Sequence, residues 1–116
     1  MITIDKNKNI TISKGDIFDV TFKLNGLTLS SEDSIYFSVK DKLIDEEAQL
    51  THKVLNTDIS TNSFRVIIPT SEMQALEVGQ YLYDLVYINK EGNKRTLIDP
   101  SFLIIKEVIH NDLLKG

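Results

Sequence analysis

The chain has no cysteine and no tryptophan, and only two histidines and two prolines in 116 residues. Without cysteine there is no disulfide framework and no thiolate zinc site, so packing alone must hold the fold. That absence suits a reducing compartment, and equally a particle assembled in cytoplasm and released later. Positive charge is also sparse: 13 Lys and Arg stand against 17 Asp and Glu, a net charge of -4. A nucleic-acid partner needs clustered Lys and Arg. Here the densest basic group, Lys90, Lys94 and Arg95, is interrupted by Glu91 and Asp99 and reads as a solvated turn. Long apolar runs are missing as well. The run at 102–105 is four residues, far short of a membrane span. The N-terminal residues lack the apolar stretch of a signal peptide, so export by the secretory route is not expected.

What the chain does have is alternation. With 41% hydrophobic residues, a chain of this length fills one core. Apolar residues recur at every second position, the pattern of strands with one buried face. Ile10 and Ile12 open the series, and a break at Gly15-Asp16 follows. Phe18, Val20, Phe22 and Leu24 then alternate with polar residues up to an Asn25-Gly26 turn. After a loop with Leu27 and Leu29 tucked under the sheet, Ile35, Phe37 and Val39 point inward and Tyr36, Ser38 and Lys40 outward. Residues 49–55 read as a polar edge strand, and Phe64, Val66 and Ile68 mark the next one. Pro69 stops it. Ser71 and Gln74 have capping-box spacing, so a short helical turn is expected with Met73 and Leu76 on one side.

Residues 80–88 form the longest strand, with Tyr81, Tyr83, Leu85 and Tyr87 on one face and Leu82, Asp84, Val86 and Ile88 on the other. Apolar content on both faces marks it as central. A loop at 89–93 with Gly92 leads into a strand at 94–98, a turn at Asp99-Pro100 and a last strand at 101–108. The expected fold is an immunoglobulin-like antiparallel β-sandwich of seven or eight strands with one short helical turn; a barrel is the rival. It is one domain over 1–116, with its core at about 10–108 and a tail at 109–116.

Catalytic chemistry finds no residues to carry it. His52 lies in a polar strand and His110 in the tail, both expected to be exposed. No nucleophile motif or metal-binding spacing occurs, so neither an enzyme nor a cofactor or metal site is expected. The acidic group Asp41, Asp45, Glu46 and Glu47 lacks the alternation and central glycine of a calcium loop, and reads as a solvated connection and a candidate contact surface. Tyrosine offers large contact area at low entropic cost, so Tyr36, Tyr83 and Tyr87 are candidates for an interaction surface. Tyr81 has a structural reading. A helical turn, a glycine and then a tyrosine entering a central strand is similar to the tyrosine corner of immunoglobulin-like sandwiches. Its hydroxyl would bond the backbone of the turn at 73–76.

Four stretches together resemble a known pattern. They run from Ile12 through Lys14-Gly15-Asp16 to Phe18, from Ile35 to Lys40, from Leu76 through Gly79-Gln80-Tyr81-Leu82-Tyr83-Asp84, and from Arg95 to Phe102. The order resembles small structural proteins of tailed bacteriophages and prophages, in particular the N-terminal module of the upper-baseplate protein that carries receptor-binding proteins. The resemblance implies an immunoglobulin-like module of a baseplate, tail, neck or head fibre, made in the host bacterial cytoplasm and ending in the virion. It would dock onto other virion proteins and form a homo-oligomer, with no nucleic acid or membrane as partner. No family active-site residues carry over. A carbohydrate- or cell-surface-binding module, with Tyr36, Tyr83 and Tyr87 as a flat platform, is the alternative.

Overall fold

A computed structural model of the chain describes residues 2–30, 32–42 and 47–107. Asp45, Glu46, His110 and the tail at 109–116 lie outside those residues. Strict alternation shapes β3 (Phe18–Lys23), β4 (Ser34–Lys40) and β6 (Ser63–Ile68): every second side chain is buried and its neighbours are not. Five further strands complete the set: β1 (Ile2–Ile4), β2 (Ile10–Ser13), β5 (Leu50–Lys53), β7 (Gly79–Ile88) and β8 (Lys94–Lys106). Among the described residues, six strands form one sheet in the order β1-β2-β8-β7-β4-β5, and β3 and β6 form a second. Phe18 of β3 meets Phe37 of β4 at 4.9 Å between ring centroids, and Phe37 meets Tyr83 at 5.3 Å, so the core lies between the sheets. The fold is an all-β, immunoglobulin-like sandwich.

Several local expectations need correction. The sandwich is not wholly antiparallel, because β2 runs parallel to β8 from Ile10↔Leu103 to Ser13↔Lys106. Strands so far apart in sequence need no tight turn between them, so either direction is open to them. Residues 2–4 form a strand paired with β2. Ser71 caps nothing: α1 (Thr70–Met73) starts from Pro69, whose carbonyl accepts the amides of Glu72 and Met73, and no side chain caps the helix. A second helical turn, a 3-10 turn at Asn56–Asp58, lies between β5 and β6.

Asp99-Pro100 is not a turn either. It lies inside β8, where the register with β7 shifts between Tyr83 and Leu85 and again between Leu85 and Val86. Tyr83 faces Ser101, Leu85 faces Ile98, and Val86 faces Thr96, so β8 carries one extra residue at each shift. One bulge would reverse the faces of everything beyond it; two restore them. Pro100, with no N–H to give, is tolerated at such a bulge.

Tyr83 is the chief correction among the candidate contact residues. It is only 1% exposed. Its odd position on β7 points it at Phe37, and its hydroxyl donates to the Lys8 carbonyl at 2.6 Å. That bond holds the β1–β2 loop, where Lys8 adopts the left-handed φ of 67°, a conformation that costs an ordinary residue about 1–2 kcal/mol. Burial pushes the Tyr83 hydroxyl up from 10.0 to about 12. Tyr83→Phe should cost about 1–2 kcal/mol in chemical denaturation, because the Lys8 carbonyl loses its donor. The raised value makes the native state the better proton holder. Stability from this group is therefore complete below pH 10 and lost as pH rises toward 12. Alkaline unfolding in that window should be blunted in the variant; an unchanged pH profile would count against the assignment.

Candidate functional site

The feature that stands apart from the core is the outer face of the six-stranded sheet. Pairing across β4, β7 and β8 aligns Lys40, Leu82 and Phe102 in one row and Tyr36, Val86 and Thr96 in another. Ser34, Ile88 and Lys94 form a third row, and Gln80, Ile104 and Thr11 a fourth. Leu82, Val86, Ile88 and Ile104 are half-buried by their neighbours, and Phe102 is 42% exposed. None of these five belongs to the core or packs against it. The sequence carries this signal: β7 is apolar on both faces, and only one face can be inside.

Asp84 sits in the middle of this apolar field, opposite Ser38 and beside the bulge at Pro100. With Lys40 and Leu82 these residues line a depression of about 70 Å³. Burial raises the Asp84 pKa above its ordinary value of 3.8, against the opposing pull of Lys40 and Lys94. A carboxyl with a raised folded pKa holds its proton more tightly in the native state. Its ionisation therefore costs stability as pH rises through that value. Asp84→Asn should raise Tm by a few degrees at pH 7, with the gain vanishing below pH 3.8. A gain that persists in acid would assign the effect to packing instead.

The tyrosines separate. Tyr36 lies on the outer face with the Lys53 ammonium 5.9 Å from its ring centre, a cation–π contact. Tyr87 lies on the opposite face and packs against the core, its hydroxyl pKa raised by burial and by the Asp33 carboxylate. With Tyr83 buried, the three do not form a common surface. Tyr81 is half-buried, and its hydroxyl donates to the Glu77 carbonyl at 2.9 Å, one residue beyond the expected turn. Burial raises its pKa, with the Asp41 carboxylate adding to the effect. Of the acidic group, Asp41 and Glu47 are exposed. His52 is not exposed as expected. It pairs with Phe37, which turns it to the inner face, half-buried, with a buried Nε2 that has no hydrogen-bond partner.

Among the described residues, no group of three or more His, Cys, Asp or Glu side chains could hold a metal ion. No family model and no curated protein matches this chain.

One residue with a structural task escaped the sequence reading. Lys14, just before the break at Gly15-Asp16, sends its ammonium 2.6 Å from the Gln74 carbonyl and 2.8 Å from the Leu76 carbonyl. Lys14, Tyr81 and Tyr83 are thus all fastened to main-chain carbonyls. Only a cluster of separate motifs around one turn could have hinted at the Lys14 contact.

Proposed function

We propose that this protein is a non-enzymatic structural or adaptor component of a phage or prophage particle, docking onto other virion subunits through the outer face of its six-stranded sheet. The observation that carries the docking reading is the apolar set Leu82, Val86, Ile88, Phe102 and Ile104 on that face, outside the core. Apolar side chains gathered on one open face mark a contact surface more often than scattered ones do. The phage assignment rests on the resemblance in the stretches around Lys14, Tyr36, Tyr81 and Arg95. On this reading the protein is made in the bacterial cytoplasm, ends in the virion and acts as a homo-oligomer. The sugar-binding alternative loses its platform, since only Tyr36 of the three tyrosines lies on the outer face.

The test is co-expression with the gene products encoded beside it, followed by light scattering of the purified species. A complex or homo-oligomer is expected from the wild-type chain, and Phe102→Lys with Val86→Lys should dissolve it without changing the circular dichroism spectrum. A monomer that binds none of those products would overturn the proposal.

A further inference from the structure

Among the described residues the second sheet has only two strands. Leu24 donates its amide to the Asn62 carbonyl at 2.8 Å, in register with the pairing Phe22↔Phe64 and Phe18↔Ile68. Antiparallel pairs alternate between bonded and non-bonded. The amides and carbonyls of Phe18, Val20 and Phe22 therefore face β6, and those of Asp19, Thr21 and Lys23 project from the opposite edge. Among the described residues β6 is the only strand paired with β3, and no other main-chain partner meets these three. Three outward peptide groups in a row form a template for one more strand.

The space beside that edge is shaped to take one. A groove of about 390 Å³ runs along residues 21–23 of β3 and Leu24 beyond it, with Ile4, Phe22, Phe64 of β6, Leu97 and Ile98 among its apolar walls. Its charged lining residues are Lys8 and Lys23; no acidic side chain lines it, and neither lysine is in an ion pair among the described residues. The Lys8 main chain is already fixed from below by the Tyr83 hydroxyl.

We infer that this edge captures an extended segment of a partner protein, which adds as a strand antiparallel to β3. Its alternate apolar side chains fill the groove, and acidic residues at its N-terminal end meet Lys8 and Lys23. Main-chain bonds to Asp19, Thr21 and Lys23 supply the affinity, and the groove and the lysines supply the selectivity. A second folded copy does not fit the role: the inward side chains of its own β3, Val20 and Phe22, are committed to its own core. The occupant has to be a free arm. This site is separate from the outer sheet face, and the two readings can fail independently.

The probe is a peptide of two aspartates followed by alternating valine and threonine, titrated into the isotopically labelled full chain. Saturable shifts should appear at Thr21, Lys23 and Leu97, and the Thr21 and Lys23 amides should exchange at least about tenfold more slowly in the complex. A peptide with lysines in place of the aspartates should bind about tenfold more weakly at low salt, with the gap closing as salt rises. Thr21→Pro deletes an outward amide and leaves the β6 bonds intact, a change tolerated at an open edge, and it should abolish binding while the spectrum stays folded. Should that variant unfold, Leu97→Asp, which sets a like charge against the peptide, takes its place. The inference is overturned by shifts confined to other surfaces, by no saturation, by equal binding of a folded Thr21→Pro, or by Thr21 and Lys23 amides already protected in the free protein. Phe102→Lys should leave peptide binding unchanged, which separates this result from failure of the outer-face reading.

Discussion

Phe37→Ala should remove a large part of the stability of this domain. Phe37 has no solvent exposure and touches Phe18 from the second sheet on one side and Tyr83 from its own sheet on the other. Truncating a buried phenylalanine removes its transfer energy and leaves a cavity, together about 3–5 kcal/mol. A domain of this kind holds only about 5–15 kcal/mol in all. The flanking rings come from β3 and β7, one strand in each sheet, so closing the gap would require both sheets to shift. Urea denaturation should show a much lower midpoint at an unchanged slope. A loss below about 1 kcal/mol would mean that the site collapses freely, and the Phe18–Phe37–Tyr83 cluster would not be the keystone of the packing.

Lys14→Met should cost about 2–3 kcal/mol, since two charge-assisted hydrogen bonds disappear while the aliphatic stem keeps its volume. The lost bonds run to the carbonyls of Gln74 and Leu76, just past α1, where a helix leaves acceptors unpaired. They tie the corner after β2 to the segment entering β7. The loss should be local as well as global: amides from Leu76 to Tyr81 should exchange faster in the variant than the change in global stability accounts for. Lys14→Arg, which keeps the charge and donors, should recover part of the loss. A methionine variant as stable as the wild type would show the two contacts to be unimportant.

The strands were legible wherever one face is apolar and the other polar, as in Phe18-Asp19-Val20-Thr21-Phe22. That pattern has one reading in extended chain. Legibility failed where the deciding interaction is distant. Asp99-Pro100 has the composition of a turn, and only its pairing with β7 makes it a double bulge. His52 has a polar neighbourhood in sequence, yet the register with Phe37 turns it inward. Tyr83 and Tyr36 are equally tyrosine, and only the parity of their positions against the core separates a buried hydroxyl from a surface ring. The outer face was half legible: alternation showed β7 to be apolar on both sides, but which rows adjoin Phe102 and Ile104 depends on the strand order. The edge of β3 that has no strand beside it among the described residues left no trace in local sequence, because a neighbour is a property of topology.

The parallel pairing of β2 with β8 sets the order in which the molecule can be completed. β2 can pair with β1 at once, but it finds its second neighbour only after β8, some ninety residues later, has been synthesised. Contacts between such remote segments close slowly and late. A nascent chain lacking β8 would expose the flank of β7 as well as the apolar side of β2, and would be prone to association with other unfinished chains. Both rows that contain Phe102 and Ile104 wait on β8, so a partner that recognises the sheet would select chains with β8 in place from those without it.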